Sequence, residues 1–280
     1  MRPLRYPSRM SRLPPIPLKT VLRNTADIEL WPAALLQARS NAHARLLARA
    51  RRVLRRKRDG RYLAAASEVG WQGLDPHWTR AAGIDDALDA VEAPLPHAGA
   101  RDPAPLPLHA LRERLDTLGL DADDYAGRTG LALVPEPAWL AFAGFDRYRR
   151  ALWLHPEAAH AWDRLRAAAL ADGVPLDAIS GYRSHDYQLG IFERKRARGQ
   201  TVDAILTVNA APGFSEHHGG RALDIGTPGE PPAEASFERT AAFAWLREHA
   251  GGHGFTMSYP RDNPHGIVYE PWHWRHDGIA

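Results

Sequence analysis

The chain has 280 residues, 36 Lys and Arg against 33 Asp and Glu, 44% hydrophobic content, nine tryptophans and no cysteine. That supplies a core for one large domain or two modest ones and excludes disulfides and thiolate metal sites. No run reaches the ~18 apolar residues of a membrane span, and the best early stretch, Ile28 to Leu36, is broken by Glu29 and Pro32 without a cleavage site, so no secretory signal is evident.

The net charge of +3 hides an asymmetry. Residues 1–70 hold 16 Lys and Arg against four acids, a balance of +12, which leaves 20 against 29, or −9, for the rest. Within the basic part, Pro32 through Lys57 reads as a helix: Leu36, Leu47 and Leu54 share one face, as do Leu35, Leu46 and Val53, among arginines. Pro32 suits its first turn and Gly60 its stop. Such a helix either packs its leucine stripe on a neighbouring domain or meets an anionic surface, lipid or wall polymer. No nucleic-acid-binding motif accompanies the charge, so nucleic acid is not an expected partner.

From Ala93 to Pro107 five prolines predict an extended linker, dividing a basic, largely helical region (1–92) from a second domain (108–280). Beyond it Leu108–Leu118 reads as a helix, and Leu131–Val134, Leu140–Ala143 and Ala151–Leu154 as strands, the last two joined by a turn through Asp146 and Arg147. Helices follow at Glu157–Ala171, stopped by Asp172-Gly173, after the Ser184 cap, and at Thr240–Ala250. Ala222–Ile225 reads as a buried strand carrying Asp224 inward. Helices beside a small, largely antiparallel sheet make an α+β domain.

Chemistry concentrates near the C-terminal end. Ser215-Glu216-His217-His218-Gly219-Gly220-Arg221-Ala222-Leu223-Asp224 and Glu270-Pro271-Trp272-His273 offer imidazoles and a carboxylate for a metal, and a further carboxylate as base. A catalytic zinc takes three such ligands and keeps one open position, so the chain reads as a zinc hydrolase. The spacings need irregular backbone. His217 and Asp224 are seven apart and Glu270 and His273 three apart, the wrong parity for one strand face. Gly219-Gly220 permits a reorienting turn, and Pro271 predicts a local break. H-E-x-x-H is absent, so a helix-borne site is not supported.

These segments fit S-x-H-x-x-G-x-A-x-D and E-x-W-H, and Ser180-Gly181-Tyr182-Arg183-Ser184 with Tyr187-Gln188 fits S-G-Y-R-S-x-x-Y-Q. In this order they resemble the zinc D-alanyl-D-alanine carboxypeptidases of the vancomycin-resistance type and the related L,D-carboxypeptidases, over roughly residues 157–277. The resemblance implies the same α+β, hedgehog-like fold and removal of a terminal D-Ala from peptidoglycan stem peptides. It implies His217, Asp224 and His273 as zinc ligands, Glu270 as the catalytic base, and Arg183 on the oxyanion or the substrate's anionic groups. Gln188, Ser215 and, more loosely, Tyr259 match peptide-contacting positions. His218 then falls beside the ligand set or on the surface. The compartment by resemblance is the cell envelope; without an evident leader or span the sequence itself reads as cytoplasmic.

The remaining histidines have blander readings: His43, His97, His109, His155, His160 and His249 as solvent-facing or capping, with His253 and His265 nearer the motifs. Trp272 reads as a packing residue. Rival functions are a D-Ala-D-Ala dipeptidase, an endolysin-type endopeptidase, a non-catalytic wall-binding module, or an interaction protein acting through its basic segment.

Overall fold

The computed structural model describes residues 20–94, 102–108 and 110–277. The expectations for residues 1–19 and for His97 and His109 lie outside the described residues.

The N-terminal region is built of strands. In chain order come β1 (Val21–Asn24), β2 (Ile28–Pro32), α1 (Asn41–Leu47), β3 (Arg52–Arg56), β4 (Tyr62–Ser67), β5 (Gly70–Gly73) and α2 (Ile84–Glu92). The helix expected over Pro32–Lys57 is therefore corrected to the end of one strand, a seven-residue helix capped by Ser40 and a second strand. The apolar pair Val53-Leu54 explains the difference. Leu54 joins Ile28, Leu30 and Leu63 under α2, while Val53 packs with Ala33, Tyr62 and Ala65 on the opposite face. Adjacent residues in a strand point to opposite faces, so both are buried only where the sheet is covered on both sides.

Next come α3 (Leu111–Asp116), α4 (Ala122–Thr129), β6 (Trp139–Phe145), β7 (Ala151–Leu154), α5 (Pro156–Ala171), β8 (Asp177–Ser180), α6 (His185–Arg196), α7 (Val202–Leu206), β9 (Ala222–Gly226), α8 (Ala241–His249), β10 (Phe255–Met257) and β11 (His273–His276). Thr240 caps α8 and Ser184 caps α6 as expected. Leu131–Val134 forms no strand and has no regular secondary structure; the Val134 N–H donates to the Gly213 carbonyl.

Two antiparallel sheets result, ordered β5-β4-β3-β2-β1-β6-β7 and β10-β11-β9-β8. The small sheet expected from the sequence is the second; the first is larger and crosses the expected domain boundary, because β1 pairs with β6 through Val21–Ala141, Leu22–Leu140 and Arg23–Trp139. The described end of the proline-rich stretch is also not free linker: the Leu106 N–H donates to the Glu136 carbonyl and the Ala138 N–H to that of Ala104. The main core lies between α5, α8 and the strands, with Trp162, Leu165, Leu154, Leu223, Ile225, Leu246 and Phe255 buried together. Each such large side chain contributes about 1.5–3 kcal/mol of burial.

A buried polar cluster fastens the N-terminal sheet to the segment after β8. Lys57 Nζ, 1% exposed, meets Glu136 Oε2 at 2.6 Å. The Tyr182 hydroxyl donates to the same oxygen, and the His185 N–H donates to Glu136 Oε1 at 2.9 Å. Asn24, at the end of β1, donates to the Tyr182 oxygen at 3.1 Å. Tyr182 and His185 flank Arg183.

Candidate metal centre

Three elements meet at the site. The segment Ser180-Gly181-Tyr182-Arg183-Ser184 runs from β8 into α6. Gly181 is needed there: an added Cβ would lie 2.9 Å from the Trp153 carbonyl oxygen and 2.8 and 2.9 Å from the Leu152 and Leu154 side chains. A 3-10 turn over Glu216–Gly219 carries His217 and closes at Gly220, whose φ of 68° is the left-handed turn expected of the glycine pair. Asp224 lies on β9, and His273 begins β11 directly opposite it in the antiparallel register. Glu270 sits in the preceding turn, closed by the His273 N–H donating to the Glu270 carbonyl, as Pro271 implied.

His217, Asp224 and His273 are all buried and converge, with one possible ligand atom from each lying within 4.8 Å of the others. His217 Nδ1 sits 2.7 Å from the Gly181 carbonyl oxygen, which only accepts. That nitrogen must therefore carry the proton, and Nε2 turns its lone pair toward Asp224 Oδ1 at 3.3 Å. His273 is oriented the other way round. Its Nε2 contacts Glu216 Oε2 at 2.9 Å, leaving Nδ1 facing Asp224 Oδ1 at 3.1 Å. Glu216 is itself held by Arg275 at 2.6 Å. A carboxylate or carbonyl behind each imidazole is the usual support of a metal ligand. Two imidazoles and one carboxylate with the remaining direction open onto a pocket fit a divalent, zinc-like ion.

Electrostatics agree with that role. Burial, and then Arg183, push His217 down to about 4, so it stays neutral. Burial would raise Asp224, but His217 and Arg183 hold it well below the usual carboxylate range. Burial would lower His273, yet its bonds to Asp224 and Glu216 raise it to about 10, so a metal must displace a proton there. Burial pushes Glu270 up to about 7, and its Oε2 lies 3.9 Å from His273 Nδ1.

These groups line a pocket of about 300 Å³ together with Arg183, Gln188, Ser215, Tyr259 and Trp272. Every site residue expected from the sequence thus gathers in one place. Arg183 is committed on two sides, Nη2 to Asp224 Oδ2 at 2.5 Å and Nε to Ser180 Oγ at 2.9 Å. Gln188 donates to the Ala210 carbonyl, and the Tyr259 ring lies 4.8 Å from that of His273. Trp272 packs against the main core as expected. His218 is fully buried beside the ligand set, accepting from the Gly213 N–H and paired through Nδ1 with the Arg183 carbonyl. His155 caps α5 but is buried rather than solvent-facing. His265 stands against Tyr259, one residue removed from the ligands.

Sequence reasoning passed over Glu216, Lys195 and Asn209. Glu216 supports His273 rather than the adjacent His217, so its place beside a ligand in the sequence did not mark its role. Lys195 and Asn209 line the pocket from α6 and from the segment after α7, and nothing local marks them.

Residues 151–279 match the VanY family, described as D-alanyl-D-alanine carboxypeptidase. The bifunctional D-Ala-D-Ala dipeptidase and D-Ala-D-Ala carboxypeptidase VanXYC of Enterococcus gallinarum is 33% identical over 150 residues, 51% of this chain and 76% of that protein. YodJ of Bacillus subtilis (strain 168) is 34% identical over 141 residues, 48% of this chain and 50% of YodJ, so the chain spans about half of that relative. Among solved structures, the LdcB LD-carboxypeptidase is 35% identical, covering 45% of this chain and 60% of its own, with a TM-score of 0.43.

Proposed function

Because the chain belongs to the D-alanyl-D-alanine carboxypeptidase family, we propose that it is a zinc peptidase removing a terminal D-Ala from peptidoglycan stem peptides. The observation carrying this reading is the convergence of His217, Asp224 and His273 with Glu270 in one pocket. His217, Asp224 and His273 are the residues that would hold the ion. A zinc ion held there would supply Lewis acidity to the carbonyl and to the attacking water.

Glu270 is placed to accept the proton of the attacking water. Its carboxylate lies beside the ligand set, and burial brings it near neutrality, where a general base works best. The same carboxyl then delivers the proton to the leaving amine. Arg183, fixed by Asp224 and Ser180, presents its guanidinium to the oxyanion; such a donor is worth about 10²–10³ in turnover. Ser215, Gln188 and Tyr259 line the pocket where the peptide lies.

Purified protein incubated with defined tri-, tetra- and pentapeptide muropeptides, with and without a chelator, tests the reading. Chelator-sensitive release of single D-Ala is expected. Release from the pentapeptide alone marks a D,D-carboxypeptidase, and release from the tetrapeptide an L,D-carboxypeptidase. Release of D-Ala-D-Ala, cleavage within cross-links, or no cleavage with zinc present would overturn it.

The proposal extends to contact with anionic wall polymer through the basic N-terminal region, where Arg45, Arg49, Arg58 and Arg61 are exposed. Binding to isolated sacculi should weaken as salt screens these charges beyond about 8–10 Å. Salt-independent binding would remove this part.

A further inference from the structure

A carboxypeptidase must bind two oxygen centres of its substrate. One is the scissile carbonyl, where negative charge develops, and the other is the free carboxylate of the residue to be released. Two side chains in the pocket other than histidine carry positive charge, Arg183 and Lys195. Arg183 is spoken for: its Nη2 and Nε bind Asp224 and Ser180, which fixes the guanidinium against the metal ligands. Its place is at the reacting carbonyl.

Lys195 stands differently. It lies on α6 seven residues after Gln188, two turns along the same helix face. It is half-buried, and its Nζ donates to Asn209 Oδ1 at 2.5 Å. Among the described residues no carboxylate oxygen lies within 4.0 Å of it, so its partner is a neutral amide. Glu270 acts on it across the pocket but lies beyond ion-pairing distance, so this half-buried ammonium has no carboxylate in contact with it. The anion it lacks is what an exopeptidase substrate brings.

Resting on the peptidase reading above, we infer that Lys195, held in place by Asn209, binds the terminal carboxylate of the substrate and confers exopeptidase specificity. The division of labour follows from chemistry. A compact ammonium on a flexible stem suits a point contact to one carboxylate, whereas the planar fork of Arg183 is already pinned. The peptide then spans the pocket from Lys195 to the ligand set, with Gln188 between them on the α6 face.

The test compares a stem pentapeptide ending in a free acid with the same peptide ending in a carboxamide. Wild-type protein should prefer the free acid. Lys195→Gln should lower kcat/KM on the acid about 10- to 150-fold, the worth of one charge-assisted hydrogen bond, mainly through KM. The amide should change little, so the preference disappears, and Lys195→Arg should restore part of it. The same comparison is made by calorimetric binding of D-Ala-D-Ala and its amide to Glu270→Gln protein, with and without Lys195→Gln. That arm needs no turnover, so an inactive wild type would sink the peptidase reading without touching this one. An equal loss on acid and amide, or a preference for the acid that survives Lys195→Gln, overturns the assignment.

Discussion

Replacing Lys57 by Met removes the buried ammonium that neutralises Glu136. The pair is 1% and 6% exposed, so solvent screening does not soften the loss. Leaving one buried charge uncompensated costs about 3–5 kcal/mol. At about 2–4 °C per kcal/mol for a chain approaching this size, the melting temperature should fall roughly 6–20 °C. The pH dependence follows from the sign of the shift. Burial would raise Glu136, but Lys57 and His185 hold it down at about 2 in the parent. It therefore contributes stability above the unfolded carboxyl range that is lost as pH falls toward 2. Without Lys57, burial dominates and the carboxyl is raised, so the variant should lose stability as pH rises toward neutrality. Scanning calorimetry between pH 5 and 8 should show a deficit that widens with pH. Lys57→Met/Glu136→Gln, with neither charge, should recover much of it. A Lys57→Met protein melting within 2 °C of the parent at pH 7 would refute the reasoning. So would a deficit that does not change with pH.

His217→Ala and His273→Ala should each abolish stoichiometric zinc in elemental analysis of folded protein; one tightly held ion in either variant would reassign the ligands. Glu270→Gln should keep the ion but lose about 10²–10⁴ in turnover, since an amide cannot accept the water's proton. A variant keeping more than a tenth of wild-type activity would move the base elsewhere. In the wild type, kcat/KM should rise with pH as Glu270 loses its proton. Burial, opposed by His273 and Arg183, brings that group to about 7, and a neighbouring dication lowers it further, so the acid limb belongs at or below about 7. A limb at 8 or higher would exclude Glu270 as the group observed.

Where local signals agree with the fold, the elements were legible. Ser184 and Thr240 cap α6 and α8, and the polar turn at Asp146 joins β6 to β7, its carboxylate accepting from the Tyr148 and Arg150 N–H groups. The irregular backbone around His217 and Glu270 was legible from parity, because two glycines and a proline stood where the strands had to break. The N-terminal region was misread for a physical reason. Leucines spaced by seven and eleven mimic a helix face, whereas a sheet buried on both sides shows no alternation to contradict it. Glu216, Lys195 and Asn209 escaped because what gives each its place is a partner distant in the chain: His273 for Glu216, and the junction of α6 with the segment after α7 for the other two.

Asp224 and His273 face each other across the β9–β11 ladder rather than within one loop. An ion gripped by both therefore works as a clasp on two neighbouring strands, and opening the clasp and unzipping the ladder become one equilibrium. At a free-ion concentration a thousandfold above its dissociation constant, such a clasp holds the ladder shut by about 4 kcal/mol. Amide protons along β9 and β11 should then report the ion's comings and goings directly. Starvation for metal would be felt as a loosening of the small sheet as well as a loss of chemistry.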